Sequence, residues 1–220
     1  MKVLVACEES QRVCIEFRKR GHEAYSCDID EPSGGHPEWH IKGDVLDILN
    51  GTCMIFTMDG TAQFIDKWDL IIAHPPCTYL SKAGACWMYK VIDGKHYIDA
   101  ERYALMQKGK SFFNKMLNAD CDKIAVENPL PLTICELPPP TQIIQPYEFG
   151  HPYSKKTLLW LKNLPPLKPT EIIQNHTPWL PSNTSGFSKG KGGSRGATSG
   201  SKNFSKTFTG IAAAMAEQWG

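Results

Sequence analysis

The chain predicts an α/β fold built on a doubly wound, mostly parallel sheet. Two observations carry this. Short apolar runs with strand character alternate with helical stretches along the chain, the pattern of parallel strands joined by crossover helices. Two of those runs, 69–73 and 123–126, end in a potentially reactive group, Cys77 in the segment HPPCTYLS and Glu127 in ENP. In open sheets of this type, ligands bind outside the carboxyl ends of the strands.

The elements follow in order. Residues 2–6 (KVLVA) read as a buried strand. Residues 10–20 read as a helix with Val13, Cys14 and Phe17 on one face, and Gly21 supplies its stop. Residues 23–27 form a second strand, closed by the acidic turn Asp28-Ile29-Asp30. Residues 34–42 read as a loop, and 44–49 as a strand edge or a single helical turn. Residues 68–73 are a strong strand with turn signals behind it. The longest helix is expected over 97–118, where Tyr103, Met106, Phe113 and Leu117 recur at helical spacing with no proline. Strands follow at 123–126 and 157–161, and an alanine- and methionine-rich helix closes the chain at 209–218. Residues 129–146, with Pro138-Pro139-Pro140 at their centre, are expected to be ordered but irregular. Residues 182–206 are dense in Gly, Ser and Lys and hold almost nothing apolar to bury, so they are expected to be flexible. No internal repeat is present.

The composition sets bounds. The chain has 220 residues, enough for one domain with a full core, and its 41% hydrophobic and 21% charged content is ordinary for a globular protein. A net charge of +1 gives no global field for a polyanion, so any nucleic-acid footprint must be local. No apolar run is long enough to cross a bilayer, and the N-terminus reads as a strand rather than a signal peptide. The eight cysteines include no C-x-x-C pair, and several sit in apolar contexts, which fits reduced thiols and a cytoplasmic protein. His36 and His40 flank Pro37, which argues against a helical metal pair. No metal site is expected.

In its motifs the chain resembles the DNA cytosine-5 methyltransferases. His74-Pro75-Pro76-Cys77-Thr78-Tyr79-Leu80-Ser81-Lys82-Ala83-Gly84 matches the Pro-Pro-Cys, Ser and Ala-Gly positions of the family's nucleophile motif in register. Glu127-Asn128-Pro129 matches its second catalytic motif. Phe149-Gly150-His151-Pro152-Tyr153-Ser154-Lys155-Lys156-Thr157 is a divergent copy of a third, F-G-x-P-Q-x-R-x-R. The order along the chain is the family's order, and the resemblance covers most of residues 1–160 and the closing helix.

The resemblance implies a Rossmann-like fold of the S-adenosylmethionine-dependent methyltransferase type, with 1–220 as a single domain. It implies methyl transfer to C5 of cytosine in DNA. Carbon 5 is a poor nucleophile until a thiolate adds to carbon 6, a role that falls to Cys77 and calls for a lowered thiol pKa. Glu127 would stand at ring N3, protonated or sharing a proton with it. Carbon 6 is out of reach in a stacked duplex, so a duplex substrate would have its base flipped. Glu8, Ser10, Asp28, Asp44 and Pro75 would contact the donor, with Asp28 on the ribose hydroxyls and Asp44 by the adenine amino group. Ser81, Asn128, Lys155 and Lys156 would contact the substrate. Residues 85–95, with Trp87, Tyr89 and Lys90, correspond to a loop that closes over the base.

The chain departs from the family at three places. Its first loop, Ala6-Cys7-Glu8-Glu9-Ser10-Gln11, has no glycine. The third motif carries Thr157 where an arginine would reach the cytosine carbonyl. Little chain remains between that motif and the closing helix for a target-recognition region, which predicts a short or relaxed sequence preference. Lys189, Lys191, Arg195, Lys202 and Lys206 could then track phosphates. A compact form of this kind suits a phage or mobile element. Two other readings stay open: the same chemistry on a free cytosine nucleotide or RNA, and a non-catalytic methyltransferase-like binding protein.

Overall fold

The structure, a computed structural model, describes residues 1–81, 88–176 and 206–220. The chain runs β1 (Lys2–Ala6), α1 (Arg12–Lys19), β2 (Glu23–Asp28), β3 (His40–Lys42), β4 (Cys53–Phe56), β5 (Ala62–Ile65) and β6 (Leu70–Ala73). It continues through β7 (Tyr89–Ile92), β8 (Lys95–Ile98), α2 (Ala100–Leu117), β9 (Ile124–Pro129), β10 (Gln142–Ile144), β11 (Thr157–Lys162) and α3 (Thr209–Trp219).

Seven strands form one sheet in the order β10-β11-β9-β6-β1-β2-β3. β1 pairs in parallel with β2 and β6, β6 with β9, and β2 with β3. β11 runs antiparallel between β9 and β10. The mostly parallel, Rossmann-like α/β arrangement is the one expected. The winding direction reverses between β1 and β6, and a crevice opens at their carboxyl ends.

Period-two alternation assigns each strand residue to a face. Val3, Val5, Leu70, Ile72, Ala125 and Leu159 pack against Val13, Cys14 and Phe17 of α1 and Ile211, Ala212 and Met215 of α3. Leu4, Ala6, Ile71, Ala73, Ile124, Val126 and Trp160 turn to the other side and meet Met106, Phe113 and Met116 of α2. Phe113 meets Trp160 edge to face, with ring centroids 4.9 Å apart. Each fully buried large side chain contributes roughly 1.5–3 kcal/mol.

Several elements differ from the expectation. Residues 34–42 hold a 3-10 turn and the edge strand β3, whose partner β2 provides the ladder that the local sequence does not advertise. β4 and β5 form a hairpin outside the main sheet, and β10 forms inside the proline-rich stretch. α2 begins at Ala100, not at 97, because the Asp99 side chain accepts a hydrogen bond from the Arg102 N–H at 2.8 Å and caps it there. Tyr97 and Ile98 instead belong to the β7–β8 hairpin, whose turn residues Asp93 and Gly94 have φ of 49° and 74°. An Asp-Gly pair at positive φ is the hairpin turn that suits strand twist. Ala83, Gly84 and Trp87, and the basic segment up to Ser205, lie outside the described residues.

Candidate active site

β6 delivers the nucleophile loop. His74 N–H still bonds to the Ala6 carbonyl at 2.9 Å, continuing the ladder with β1. Pro75 and Pro76 have no N–H, so the ladder stops there. The chain then turns tightly, with the N–H groups of Leu80 and Ser81 both bonded to the Cys77 carbonyl, at 3.0 and 2.9 Å. This places Cys77, partly exposed, at the head of the turn.

The loop is held from three sides. Asn128 Nδ2 donates to the Pro75 carbonyl at 2.9 Å. Leu132 N–H donates to the Leu80 carbonyl at 2.7 Å, and Ser81 bridges to Pro131. From α2, Arg102 donates to the Thr78 carbonyl at 2.7 Å, and its guanidinium lies 4.3 Å from the centre of the Tyr79 ring.

The parallel register of β6 and β9 pairs Ala73 with Val126. One residue further on, His74 and Glu127 stand side by side, with His74 Nδ1 3.2 Å from Glu127 Oε2. Their side chains are only 10% and 19% exposed. Burial opposes charge on both, yet their mutual hydrogen bond and attraction win. Glu127 is held below the usual carboxylate range, with Lys155 assisting. His74 is held above the ordinary histidine range, and the charge of Glu8 adds to the effect. Both shifts favour the imidazolium–carboxylate form of the pair.

Cys77 behaves otherwise than the sequence reading required. Burial and then the neighbouring Glu127 charge push its thiol up, while a hydrogen bond from Ser81 and the charge of Lys155 pull the other way. The resting residue is a thiol.

These residues line one cavity of about 510 Å³ that includes Glu8, Ser10, Asp28, His74, Pro75, Cys77, Glu127, Asn128 and Lys155. A second cavity of about 590 Å³ adjoins it, sharing Cys7, Asp28 and Pro76. That one is largely apolar, walled by Val45, Tyr79, Leu105 and Phe112, with Asp28, Asp30 and Asp44 at its acidic rim. The Asp28 carboxyl is raised by burial, and its Oδ1 accepts from the Asp30 N–H at 3.0 Å. Asp44 is exposed and uses Oδ1 to cap a 3-10 turn, accepting from the Leu46 N–H at 2.9 Å. Two thiols, Cys7 and Cys27, also face this cavity. Burial, then the nearby Asp28 charge, raises both, Cys27 to about 12.

The glycine-free first loop still makes glycine-like turns. Cys7 and Gln11 both sit at φ 58°. Glu8, 4% exposed, reaches forward and accepts from the N–H groups of Val13 and Cys14 at 2.7 and 3.2 Å, and the Ser10 hydroxyl lies 3.5 Å from it. α1 has no acidic residue in its first turn and no side-chain cap from Gln11, so Glu8 fills that role. Gln11, fully buried, ties the loop to Ser26 and His36.

Of the nominated residues, Cys77, Glu127, Asn128, Lys155, Pro75, Glu8, Ser10 and Asp28 converge on the first cavity, and Asp28 and Asp44 on the second. Ser81 is buried beneath Cys77, and Lys156 is exposed outside both cavities. Tyr89 and Lys90 lie on the exposed β7–β8 hairpin, where Lys90 pairs with Asp99. Lys206 bonds to Ser33 Oγ at 2.6 Å and lies 3.5 Å from Glu9. Sequence reasoning missed His74 and Arg102. The signal for His74 was its place directly after an apolar strand and before Pro-Pro-Cys. Arg102 gave none, because its contact with the loop is long-range.

Among the described residues, the buried side-chain atoms without a partner are His74 Nε2, Arg102 Nε and Asn128 Oδ1. All three belong to this neighbourhood, which suits a site built to receive a polar ligand. Among the same residues, no group of His, Cys, Asp and Glu could hold a metal ion, and no helix is long and apolar enough to cross a membrane.

No family model and no curated protein matches the chain. Among solved structures, it is similar to a candidate DNA modification methyltransferase encoded within an E. coli prophage. The identity is 12% and the TM-score 0.43, over 79% of this chain and 52% of that one. The chain spans about half the length of that protein.

Proposed function

We propose that the protein is a DNA cytosine-5 methyltransferase. The observation that carries this is the convergence of Cys77 and Glu127, delivered by the adjacent parallel strands β6 and β9, on one cavity at the switch point of the sheet. The order and spacing of the Pro-Pro-Cys and Glu-Asn motifs support the substrate class.

The adjoining apolar cavity fits the nucleoside part of S-adenosylmethionine. Its walls are aliphatic and aromatic, and Asp28 lies where the two cavities join, as a ribose ligand would. Asp44 borders the same cavity, and Pro75 lines the first one. Glu8 and Ser10 border the donor's path, although Glu8 spends its carboxylate on α1. S-adenosylmethionine bound there supplies an electrophilic methyl group.

The residues of this chain do the rest. Cys77 loses its proton to solvent through the open cavity, and its sulfur bonds to C6. The C5=C6 π electrons shift toward C4, and the C4=N3 π pair becomes a lone pair on N3 that takes a proton by way of Glu127. Carbon 5 is now nucleophilic. After methyl transfer, loss of the C5 proton restores the double bond and expels the Cys77 sulfur as thiolate, while N3 returns its proton. Asn128 and Arg102 hold the loop in place during these steps. Lys155 offsets negative charge near the sulfur.

The test is incubation of cytosine-containing duplex DNA with methyl-labelled S-adenosylmethionine, followed by digestion to nucleosides. Label in 5-methylcytosine is expected. Label in another nucleoside, or none in DNA, overturns the proposal. Transfer to free cytidine nucleotide but not to DNA would move the substrate to the mononucleotide.

A further inference from the structure

We propose that His74 is a positioning residue that acts through Glu127, storing on Nδ1 the proton that Glu127 hands to ring N3 when Cys77 adds to C6. This rests on the methyltransferase reading and extends it to a residue outside the family motifs. His74 is not among the positions at which the chain matches the family's motif, so the role does not carry over from the resemblance.

A carboxyl group that protonates N3 must hold a proton, yet Glu127 in this site is favoured as a carboxylate by His74, whose Nδ1 lies 3.2 Å away. Glu127 cannot supply a proton of its own near neutral pH. The nearest proton is on His74 Nδ1, already directed at Glu127 Oε2. Glu127 takes that proton on Oε2 and becomes a carboxylic acid, and the same proton then passes to N3 as the carboxyl group turns toward the ring. His74 is then neutral and Glu127 again an anion, so charge and protons balance. When N3 is released, the proton returns by the same route.

The surroundings favour the stored proton. The groups facing His74 are Glu127 from β9, Glu8 from the first loop, Lys155 from the segment before β11, and Cys77 from its own loop. Burial of the ring opposes its charge, but the hydrogen bond and charge of Glu127, with the charge of Glu8, outweigh burial and Lys155 together. Burial raises the Glu8 carboxyl, while the charge of His74 and the two backbone N–H groups of α1 favour its ionised form. His74 Nε2 is buried without a partner, a cost to the imidazolium that the pairing with Glu127 must offset.

Two measurements test this. The first needs no substrate. Nitrogen-detected NMR of the free wild-type protein should show His74 doubly protonated at pH 7, and Glu127→Gln should bring its titration down. A neutral His74 at pH 7, or a titration unmoved by Glu127→Gln, overturns the proposal. The second is the rate of covalent trapping on 5-fluorocytosine DNA as a function of pH, in wild type and His74→Gln. The reaction needs both a thiolate and the stored proton. The wild-type rate should therefore rise with pH and level off where His74 deprotonates. In His74→Gln the rate should be about 100-fold lower at pH 7 and keep rising through that pH. A variant within threefold of wild type that levels off at the same pH overturns the role of His74 alone. A wild type that forms no Cys77 adduct at any pH overturns the methyltransferase reading, and the role of His74 at the ring with it.

Discussion

The side-chain amide of Asn128 donates to the backbone carbonyl of Pro75 at 2.9 Å, joining the end of one sheet strand to the loop that carries the thiol on the next. Both partners are buried, and Asn128 is 1% exposed. Replacement by alanine leaves the Pro75 carbonyl unsatisfied, which costs about 1–3 kcal/mol. The larger effect is on geometry, since a displacement of about 1 Å at a reacting atom costs about 100-fold in rate. Asn128→Ala should therefore fold with a lower melting temperature and lose most of its activity. Undiminished methylation with reduced stability would show that the bond is structural only.

The His74–Glu127 pair predicts a pH-dependent stability. His74 is raised, so its contribution is complete below the ordinary histidine pKa and fades as pH rises through its folded value. Glu127 is lowered, so its contribution is complete above the ordinary carboxylate pKa and fades as pH falls through its folded value. Both are complete between about pH 4.5 and 6.5, the ordinary values of the two groups. Glu127→Gln should destabilise most in that window, by about 1–3 kcal/mol, because His74 can shed its proton rather than remain a stranded charge. Urea unfolding of both proteins at pH 6 and pH 9 checks this. An equal difference at the two pH values contradicts it.

Cys77 alkylation offers a probe of the thiol in the absence of substrate. Burial and the Glu127 charge keep it protonated, so iodoacetamide labelling at Cys77 should climb about tenfold per pH unit from pH 7 into the alkaline range. Ser81 hydrogen-bonds the sulfur and favours the thiolate. Ser81→Ala should slow labelling about threefold to tenfold at pH 8. Peptide mapping separates Cys77 from the other cysteines. Faster labelling in the variant would show that the hydroxyl shields the sulfur instead.

Asp28 and Asp44 should behave differently, although the sequence suggests similar roles for them. Asp28 sits where the two cavities meet, so Asp28→Ala should weaken S-adenosylmethionine binding by about tenfold or more in calorimetry. Asp44 is exposed and caps a turn, so Asp44→Ala should cost about 1 kcal/mol of stability. Equal losses of affinity in the two variants would place the donor's contacts nearer the outer rim.

Much of this was legible in the sequence, and the reason differs by element. β1, β6 and β9 are buried on both faces, so each reads as an unbroken apolar run. α1 and α3 show their buried stripes. β3 and β10 were hidden because each is three residues long and depends on a neighbouring strand rather than on its own pattern. The start of α2 was misplaced because a hairpin with apolar exposed strands mimics helical spacing up to Asp99. In the site, the thiol and the acid announced themselves by motif. The protonation states did not. The sequence suggests a lowered thiol and a glutamate that is protonated or shares a proton with N3; in the free protein burial and the Glu127 charge raise the thiol, and His74, brought alongside Glu127 by strand register, favours its carboxylate. Glu8 was nominated as a ligand for the donor, and only the fold reveals that its carboxylate caps α1.

The most direct measurement of the central claim is covalent capture on DNA containing 5-fluorocytosine, in the presence of S-adenosylmethionine. Fluorine at C5 blocks the final elimination, so the protein should remain bound through Cys77, with the adduct mapped to the peptide holding that residue, and Cys77→Ser should form none. An adduct mapped to any other residue, or one that persists in Cys77→Ser, would contradict the account.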